Sequence, residues 1–288
     1  MHFNLDILKN RRYYAANLSE REEKMIELAT YIGLGILAGL LAGLLGVGGG
    51  IVIVPMLTFT FALQHLPEVH IQHLALGTSL ATIIFTSVSS LLAHHSRGAV
   101  NWRVVRQITP GILFGTLSGS WVAARLSGNL LKGFFILFTF FVAWQMISDA
   151  IPKASRQVPG MAGLFGAGTF IGCISSLAGI GGGSMSVPFL IWCNLQARTA
   201  IGTSAAIGFP IALSGAAGFL VNGLDAQGLP AHSIGYIYLP ALAGIAVTSY
   251  LTAPLGAKLA HNLPVSRLKK GFAILLIATG LKMLSSLF

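Results

Sequence analysis

Along the chain, long uncharged stretches alternate with short clusters of charge. After a polar opening, the uncharged runs are Leu28 to Gln64, Leu74 to Ser96, Gln107 to Ala124, Gly133 to Ser148, Gly160 to Ala197, Thr199 to Leu224, Ser233 to Ala257 and Gly271 to Leu281. An α-helix rises 1.5 Å per residue, so about 20 apolar residues cross ~30 Å of hydrocarbon. Six of the runs suit one crossing each, the last continuing toward Phe288 with Lys282 reaching back to the interface. The first and fifth are too long for one crossing, at 37 and 38 residues. Both are broken by glycine, at Gly46-Val47-Gly48-Gly49-Gly50 and Gly179-Ile180-Gly181-Gly182-Gly183. About 14 residues follow each break, ~21 Å of helix, which is too short to cross. The pattern therefore predicts two re-entrant helix hairpins with glycine tips at mid-depth.

The two broken runs match residue by residue. GVGGGIVIVPML from Gly46 lies over GIGGGSMSVPFL from Gly179 at an offset of 133. Gly77-Thr78-Ser79 then matches Gly202-Thr203-Ser204, and Leu131-Lys132-Gly133-Phe134 matches Lys269-Lys270-Gly271-Phe272. Ordered matches of this kind mark a tandem duplication. The expected organisation is a charged extension over 1–27, a first repeat over 28–150, a linker over 151–159 and a second repeat over 160–288. Each half holds one hairpin and three crossings, an odd number whichever way the hairpin is counted. The second half must then start from the opposite membrane face. The fold class expected is an all-α polytopic membrane protein of two inverted-topology repeats, an arrangement used by transporters.

Composition agrees. Only 9% of the 288 residues are Asp, Glu, Lys or Arg and 54% are apolar, against about 25% charged in soluble domains. The net charge of +10 would point to nucleic acid in a soluble protein; here the basic residues sit in loops and in the extension, so no nucleic-acid partner is expected. The short loops favour a cytoplasmic position for Arg97, Arg103 and Arg106, for Lys153 and Arg156, and for Arg267, Lys269 and Lys270, which leaves both termini outward. The opening 27 residues lack an apolar core with a cleavage site and read as a surface extension rather than a signal peptide. Cys173 and Cys193 both lie within apolar runs and build no disulfide framework.

The chemistry follows from the tips. A helix that starts inside hydrocarbon leaves its first N–H groups without intrahelical partners and carries the positive end of its dipole. Glycines allow a guest to reach those donors, and Pro55 and Pro188 sit where a missing N–H near a helix start is tolerated. Two inverted tips would point such donors at one volume, a site for a small oxyanion. No Asp, Glu, Lys or Arg lies in the middle of any run, whereas proton relays and metal-cation paths need such residues. The candidate binding residues are Gly48, Gly49, Gly50, Gly181, Gly182, Gly183 and Ser184 at the tips, with Thr78, Ser79, Thr203 and Ser204 lining the same cavity. Competing readings remain for each: membrane glycines also serve close helix packing, and these hydroxyls also bond back to their own helix. Asn194 and Asn222, at run ends, read as caps.

Two other functional classes are open. His65, Glu68, His70 and His73 form a loop cluster of ligand-type residues, but the spacing matches no strong metal signature. A metal-cation transporter would need those side chains to converge. An intramembrane serine protease would need a base beside Ser184, and the only later histidines, His232 and His261, lie in polar loops. His94 and His95 end a helix beside Arg97, where imidazole suits a helix C-terminus or the mouth of an anion path. No catalytic residue, resident metal or cofactor is expected; the partners expected are a small anion and the lipid bilayer. Oligomeric state is not legible.

The paired GxGGGxxxxP motifs at Gly46 and Gly179, each followed by Gly-Thr-Ser, resemble the TauE/SafE sulfite exporter family from about residue 30 onward. The resemblance implies two inverted four-element repeats that begin with hairpins. It also implies a secondary transporter, in the bacterial plasma membrane, of sulfite, organosulfonates such as sulfoacetate or related sulfur-containing anions. The charged extension and the loop from His65 to His73, eight residues longer than its counterpart, lie outside the family pattern.

Overall fold

A computed structural model describes residues 21, 25–44, 49–148, 157–262 and 265–286, excluding the side chains of 260–270. The described residues form ten helices: α1 (Met25–Leu44), α2 (Gly50–Leu63), α3 (Glu68–His95), α4 (Trp102–Ala123), α5 (Gly128–Ile147), α6 (Met161–Ala178), α7 (Gly183–Trp192), α8 (Ala197–Gly223), α9 (Leu239–Asn262) and α10 (Val265–Ser285). A two-residue antiparallel pair, β1 (Ser233–Ile234) and β2 (Ile237–Tyr238), precedes α9. Helix is the expected answer for such runs, because in hydrocarbon every backbone polar group needs a partner within the protein. Six helices, α1, α3, α5, α6, α8 and α9, are long and apolar enough to cross a membrane. The outward faces are apolar, with Leu137, Trp144, Phe170 and Leu251 all more than 60% exposed, a surface that lipid and not water would cover. The chain is a multi-pass membrane protein.

The glycine breaks fall where the pattern puts them. α6 stops at Ala178 through a left-handed Gly179 (φ +64°), with the Gly179 N–H donating to the Ser176 carbonyl and the Ile180 N–H to the Ser175 carbonyl. This is a Schellman closure, which satisfies carbonyls at a helix end. Three residues later a second left-handed glycine, Gly182 (φ +73°), starts α7; Gly49 (φ +77°) starts α2 in the same conformation. An L-residue avoids this region, so the turn selects glycine. Both returning helices are short, at 14 and 10 residues.

Pro55 and Pro188 do not occupy the first helical position. Each is the sixth residue of its helix, inside it. There proline removes the donor for the carbonyl four residues back, Ile51 and Ser184 respectively, instead of sparing an already unpaired N–H. A second departure lies at Ser233, which opens an uncharged run but not a helix. Residues 233–238 fold into the β-hairpin and α9 begins at Leu239. Gly235 (φ +54°) makes that turn, a signal that hydropathy alone does not weigh.

Helices α3 and α8 are the most buried and pack against each other at the centre. Around them run two seams of close backbone contact. In the first, α4 lies on α6: Gly111, Gly115 and Gly119 face the carbonyls of Phe165, Thr169 and Cys173, while Gly168 and Gly172 face those of Ile108 and Ile112. In the second, α1 lies on α9: Gly35 and Gly39 face the carbonyls of Ile245 and Ser249, Gly43 that of Ala253, and Gly256 that of Leu40. A Cβ on Gly172 or Gly39 would sit 2.6 Å or 2.5 Å from its carbonyl oxygen, so any larger residue would force the helices apart.

Two connections are bolted to the central pair. The Thr203 hydroxyl of α8 accepts from the Asn101 N–H at the start of α4, and the Thr78 hydroxyl of α3 accepts from the Tyr238 N–H at the start of α9, both at 2.9 Å. Beside each threonine a glycine makes room, Gly202 against the Ala99 carbonyl and Gly77 against that of Tyr236. The β-hairpin is further held by His73, whose ring stacks on Tyr236 at 4.9 Å, and by His70, bonded to the Gln227 carbonyl. Burial raises the Tyr236 phenol above its ordinary pKa, so it stays neutral.

Three stability outcomes follow for purified protein unfolded thermally or by detergent titration. Gly115→Leu, pushed against the Thr169 carbonyl, is expected to cost about 1–3 kcal/mol or more. Gly133→Ala, with nothing within 4 Å of the added methyl, should stay within about 0.5 kcal/mol of wild type. Thr203→Val strips the Asn101 N–H of its acceptor and is expected to cost about 1–3 kcal/mol.

Candidate functional site

The two glycine tips meet. A Cβ on Gly50, the first residue of α2, would lie 2.5 Å from the Gly179 carbonyl oxygen and 2.9 Å from the Ile180 Cα. Gly179 in turn faces Val54 of α2 and Leu76 of α3. Gly181 reaches the other side of the central pair, where its carbonyl lies 3.4 Å from a Cβ position on Gly208 of α8, with Ser87 of α3 beside it. The second tip therefore lies between α3 and α8, with the start of α2 against it. Gly50, Ile51 and Gly179 to Ser184 are all buried.

Helix starts dominate the electrostatics here. The Val52 and Ile53 N–H groups close onto the Gly49 carbonyl, as the Met185 and Ser186 N–H groups close onto that of Gly182. That leaves the Gly183 and Ser184 N–H groups without a backbone acceptor among the described residues. Neither α2 nor α7 has an acidic residue in its first turn or a capping side chain. The positive ends of both helices are thus uncompensated by charge.

The candidate hydroxyls divide into two groups. Thr78 and Thr203 hold backbone N–H groups of the connections described above. Ser79 donates to the Gly179 carbonyl at 2.7 Å, so it supports the second tip from α3. Ser204 Oγ lies 2.7 Å from Ser186 Oγ, which also donates to the Gly182 carbonyl at 3.0 Å. Ser184 differs: it is 5% exposed and its Oγ has no partner among the described residues. Gly48 lies outside the described residues, as do Gly46 and Val47; Gly49 and Gly182 form the left-handed N-caps already described.

Ser175 is a residue the pattern reading missed. It sits on α6, fully buried, with an unpartnered Oγ 3.1 Å from the Cβ position of Gly182. Thr116 of α4 is likewise buried and unpartnered, next to Gly172 on the α4–α6 seam. Neither stands in a motif; for Ser175 the available signal was a hydroxyl within one helical turn of the break at Gly179, and Thr116 offered none. A buried hydroxyl without a partner costs roughly 1–3 kcal/mol, so two such groups beside two open N–H donors make a set matched to an acceptor-rich guest. The set has donors and no carboxylate, which suits an oxyanion and not a metal cation.

The remaining histidines are placed elsewhere. His73 Nε2 is 3.2 Å from the Ala123 carbonyl oxygen and His70 Nε2 is 2.9 Å from that of Gln227, while His65 is exposed in a left-handed turn (φ +55°). Among the described residues no group of three His, Cys, Asp or Glu converges as a metal site. His94 is buried with Nε2 against the Gly43 carbonyl, and His95 accepts from the Trp102 indole. Asn194 adopts a left-handed conformation (φ +66°) just past α7, and Asn222 bonds back to the Gly218 carbonyl. The side chains of His261, Arg267, Lys269 and Lys270 fall outside what the structure describes, as do Lys153 and Arg156.

Comparison with known proteins fits this architecture. A probable membrane transporter protein of Haemophilus influenzae is 40% identical over 252 residues, covering 86% of this chain and 95% of its own length. A probable membrane transporter protein of Methanocaldococcus jannaschii is 28% identical, over 91% of this chain and 97% of its own. The probable inner membrane transporter protein TsaS of Comamonas testosteroni is 25% identical, over 74% of this chain and 84% of its own. No solved structure matches significantly. The family model described as sulfite exporter TauE/SafE matches residues 31–283, so this membrane transporter belongs to the TauE/SafE family.

Proposed function

We propose that the chain is a secondary transporter of a small oxyanion, with sulfite, organosulfonates such as sulfoacetate and related sulfur-containing anions as the substrate class. Transport proceeds by alternating access around a site between the two glycine tips. The observation that carries this reading is the meeting of Gly50 with Gly179 and Ile180 beside the unpartnered hydroxyls of Ser184 and Ser175. The donors offered there are backbone N–H groups of α2 and α7 and the two hydroxyls; a small oxyanion supplies the acceptors they lack. The family's description as sulfite exporters supports sulfite as the first anion to test. The membrane proposed is the bacterial inner membrane, with the basic loops around Arg97 and Arg103 on the cytoplasmic face.

The reading includes two inverted repeats, each a re-entrant hairpin and three crossings. Reciprocal contacts support it. The first hairpin's α1 packs on α9 of the second half, and the second hairpin's α6 packs on α4 of the first. The seam glycines Gly35, Gly39 and Gly111 correspond to Gly168, Gly172 and Gly244 at the same offset of 133 that relates the tips. Thr78 and Thr203, paired by the Gly-Thr-Ser match, make equivalent bonds to opposite connections. The returning helices are ~21 Å and ~15 Å long, short of a crossing.

Flux of radiolabelled sulfite, sulfate and sulfoacetate into proteoliposomes tests the function. Gly182→Leu places a branched side chain at φ +73° against Ile211 and Ser175, and is expected to abolish flux in protein that still elutes as a single species. Equal flux in wild type and Gly182→Leu would sink the tip site. Ser184→Ala gives up no described hydrogen bond and removes a buried unpartnered hydroxyl, so its unfolding midpoint should equal or exceed that of wild type. Its half-saturating anion concentration should rise about 10–100-fold, the range for losing one hydrogen bond to a charged group.

A further inference from the structure

Away from the tips, a cavity of about 430 Å³ opens among the C-terminal ends of α2 and α10 and the N-terminal ends of α3 and α5. Its lining includes Thr58, His65, Glu68, Gln72, Asn129 and Lys132. This is the membrane face on which α2 ends and α3 and α5 begin. Gln72 is only 3% exposed, and its Nε2 has no partner among the described residues, while its Oε1 lies 3.3 Å from the Thr58 hydroxyl. The Lys132 ammonium donates to the Ser286 carbonyl at 3.0 Å, a neutral acceptor that leaves its other protons free for a guest, and the Glu68 carboxylate across the cavity offsets part of its charge. Asn129 stands in the first turn of α5, so the positive end of that 20-residue helix faces the same space. Glu68 is the one carboxylate in the lining; it is exposed and occupies the first turn of α3, whose N-terminus its charge complements.

The floor of the cavity adjoins the tip site. Thr58 follows Val54 by one helical turn on α2, and Gln72 precedes Leu76 by one turn on α3. Val54 and Leu76 are the side chains against which Gly179 is packed. The cavity floor at Thr58 and Gln72 thus lies one helical turn, about 5.4 Å, from the residues that pack on the second tip.

We propose that this cavity binds a tetrahedral oxyanion, through the Lys132 ammonium, the Gln72 amide and the N-terminus of α5, and is the docking vestibule on this membrane face. Its role as a vestibule rests on the tip-site reading; the binding itself does not. The oxyanion comes either as free sulfonate or sulfate, or as the phosphate of a lipid headgroup.

The test uses the full chain in nanodiscs, with and without phosphatidylglycerol in a phosphatidylcholine bilayer, and equilibrium binding of radiolabelled sulfate and methanesulfonate. Binding is read in the Gly182→Leu or Ser184→Ala background, which weakens the tip contribution. Lys132→Gln is expected to weaken binding about tenfold, and Lys132→Arg to keep it within about threefold, because the site needs a cationic donor. In proteoliposomes Lys132→Gln should raise the half-saturating concentration by the same factor and leave the maximal flux unchanged. Lys132-dependent binding that disappears when phosphatidylglycerol is present upholds the oxyanion site and assigns it to the lipid. Unchanged affinity in Lys132→Gln in both bilayers overturns the proposal. Loss of maximal flux at unchanged half-saturation overturns the vestibule role. Wild-type protein that moves no tested anion yet binds in a Lys132-dependent way refutes the tip reading and leaves this site standing.

Discussion

Every polar group of the backbone that lies in hydrocarbon must be satisfied from within the protein, and the architecture of this chain turns on how it meets that demand at the buried helix ends around Gly49 and Gly179 to Gly183. An uninterrupted helix meets it automatically. A hairpin that reverses inside the protein does not, since it brings two free ends to its tip. The ending arm is solved locally: Gly179 adopts the left-handed conformation, and its N–H and that of Ile180 satisfy the carbonyls of Ser176 and Ser175. The starting arm is not solved locally. Gly182 and Gly49 are left-handed caps without an acceptor side chain, so N–H donors of α7 remain open at the most enclosed point of the molecule.

The surrounding helices are arranged to support that unsolved end. Ser79 ties the Gly179 carbonyl to α3, and Ser186 and Ser204 brace the first turn of α7 against α8. Thr78 and Thr203 lie one position before these serines and face other connections. The Gly-Thr-Ser motif therefore has divided labour in each copy: glycine lets a connection approach, threonine caps it, serine faces the hairpin. Set against this frame, Ser175 and Ser184 stand out because their hydroxyls have no described partner. Ser90, Thr116 and Ser233 also carry unpartnered hydroxyls, but Ser184 and Ser175 lie at the start of α7 and beside its cap Gly182, where the open N–H groups make a local surplus of donors. A carboxylate would balance that surplus permanently; an oxyanion can balance it and leave.

Much of this was legible in the sequence, and the limits have physical causes. The breaks at Gly46 to Gly50 and Gly179 to Gly183 were visible because a run too long to cross must bend and glycine marks where. The duplication was visible because the same constraint, met twice, selects the same residues. The β-hairpin at 233–238 was not, because Ile234, Tyr236 and Ile237 are as apolar as membrane helix and only Gly235 marks the turn. Pro55 and Pro188 were placed one turn too early, since their distance from the glycines does not tell which glycine is the cap. Ser175 and Thr116 carry no motif: a lone hydroxyl on a helix normally bonds to its own backbone, and only the packed structure tells which ones do not. The cavity at Lys132 draws on four helices and could not be assembled from spacing.

The seams set what can move. On α4 and α6, and again on α1 and α9, glycine grooves receive carbonyl ridges from the partner helix, so sliding either pair by a fraction of a turn would drive Cα positions into oxygen atoms. Each pair moves as one body. Because α1 and α6 are the leading arms of the hairpins, each hairpin is locked to a helix from the other half of the chain, and neither tip can withdraw alone. In the proposed cycle the opening of one face must carry α4 with the second hairpin, or α9 with the first, while the Thr203 and Thr78 bonds to their N-terminal connections act as the pivots. Thr86 and Ser249, bonded across α3 and α9 at 2.7 Å, and Ser89, donating to the Tyr250 carbonyl, tie the second of these bodies to the central pair. Side-chain hydrogen bonds rather than a glycine ridge join the α1–α9 body to α3, so parting that boundary requires breaking the Thr86–Ser249 and Ser89–Tyr250 bonds.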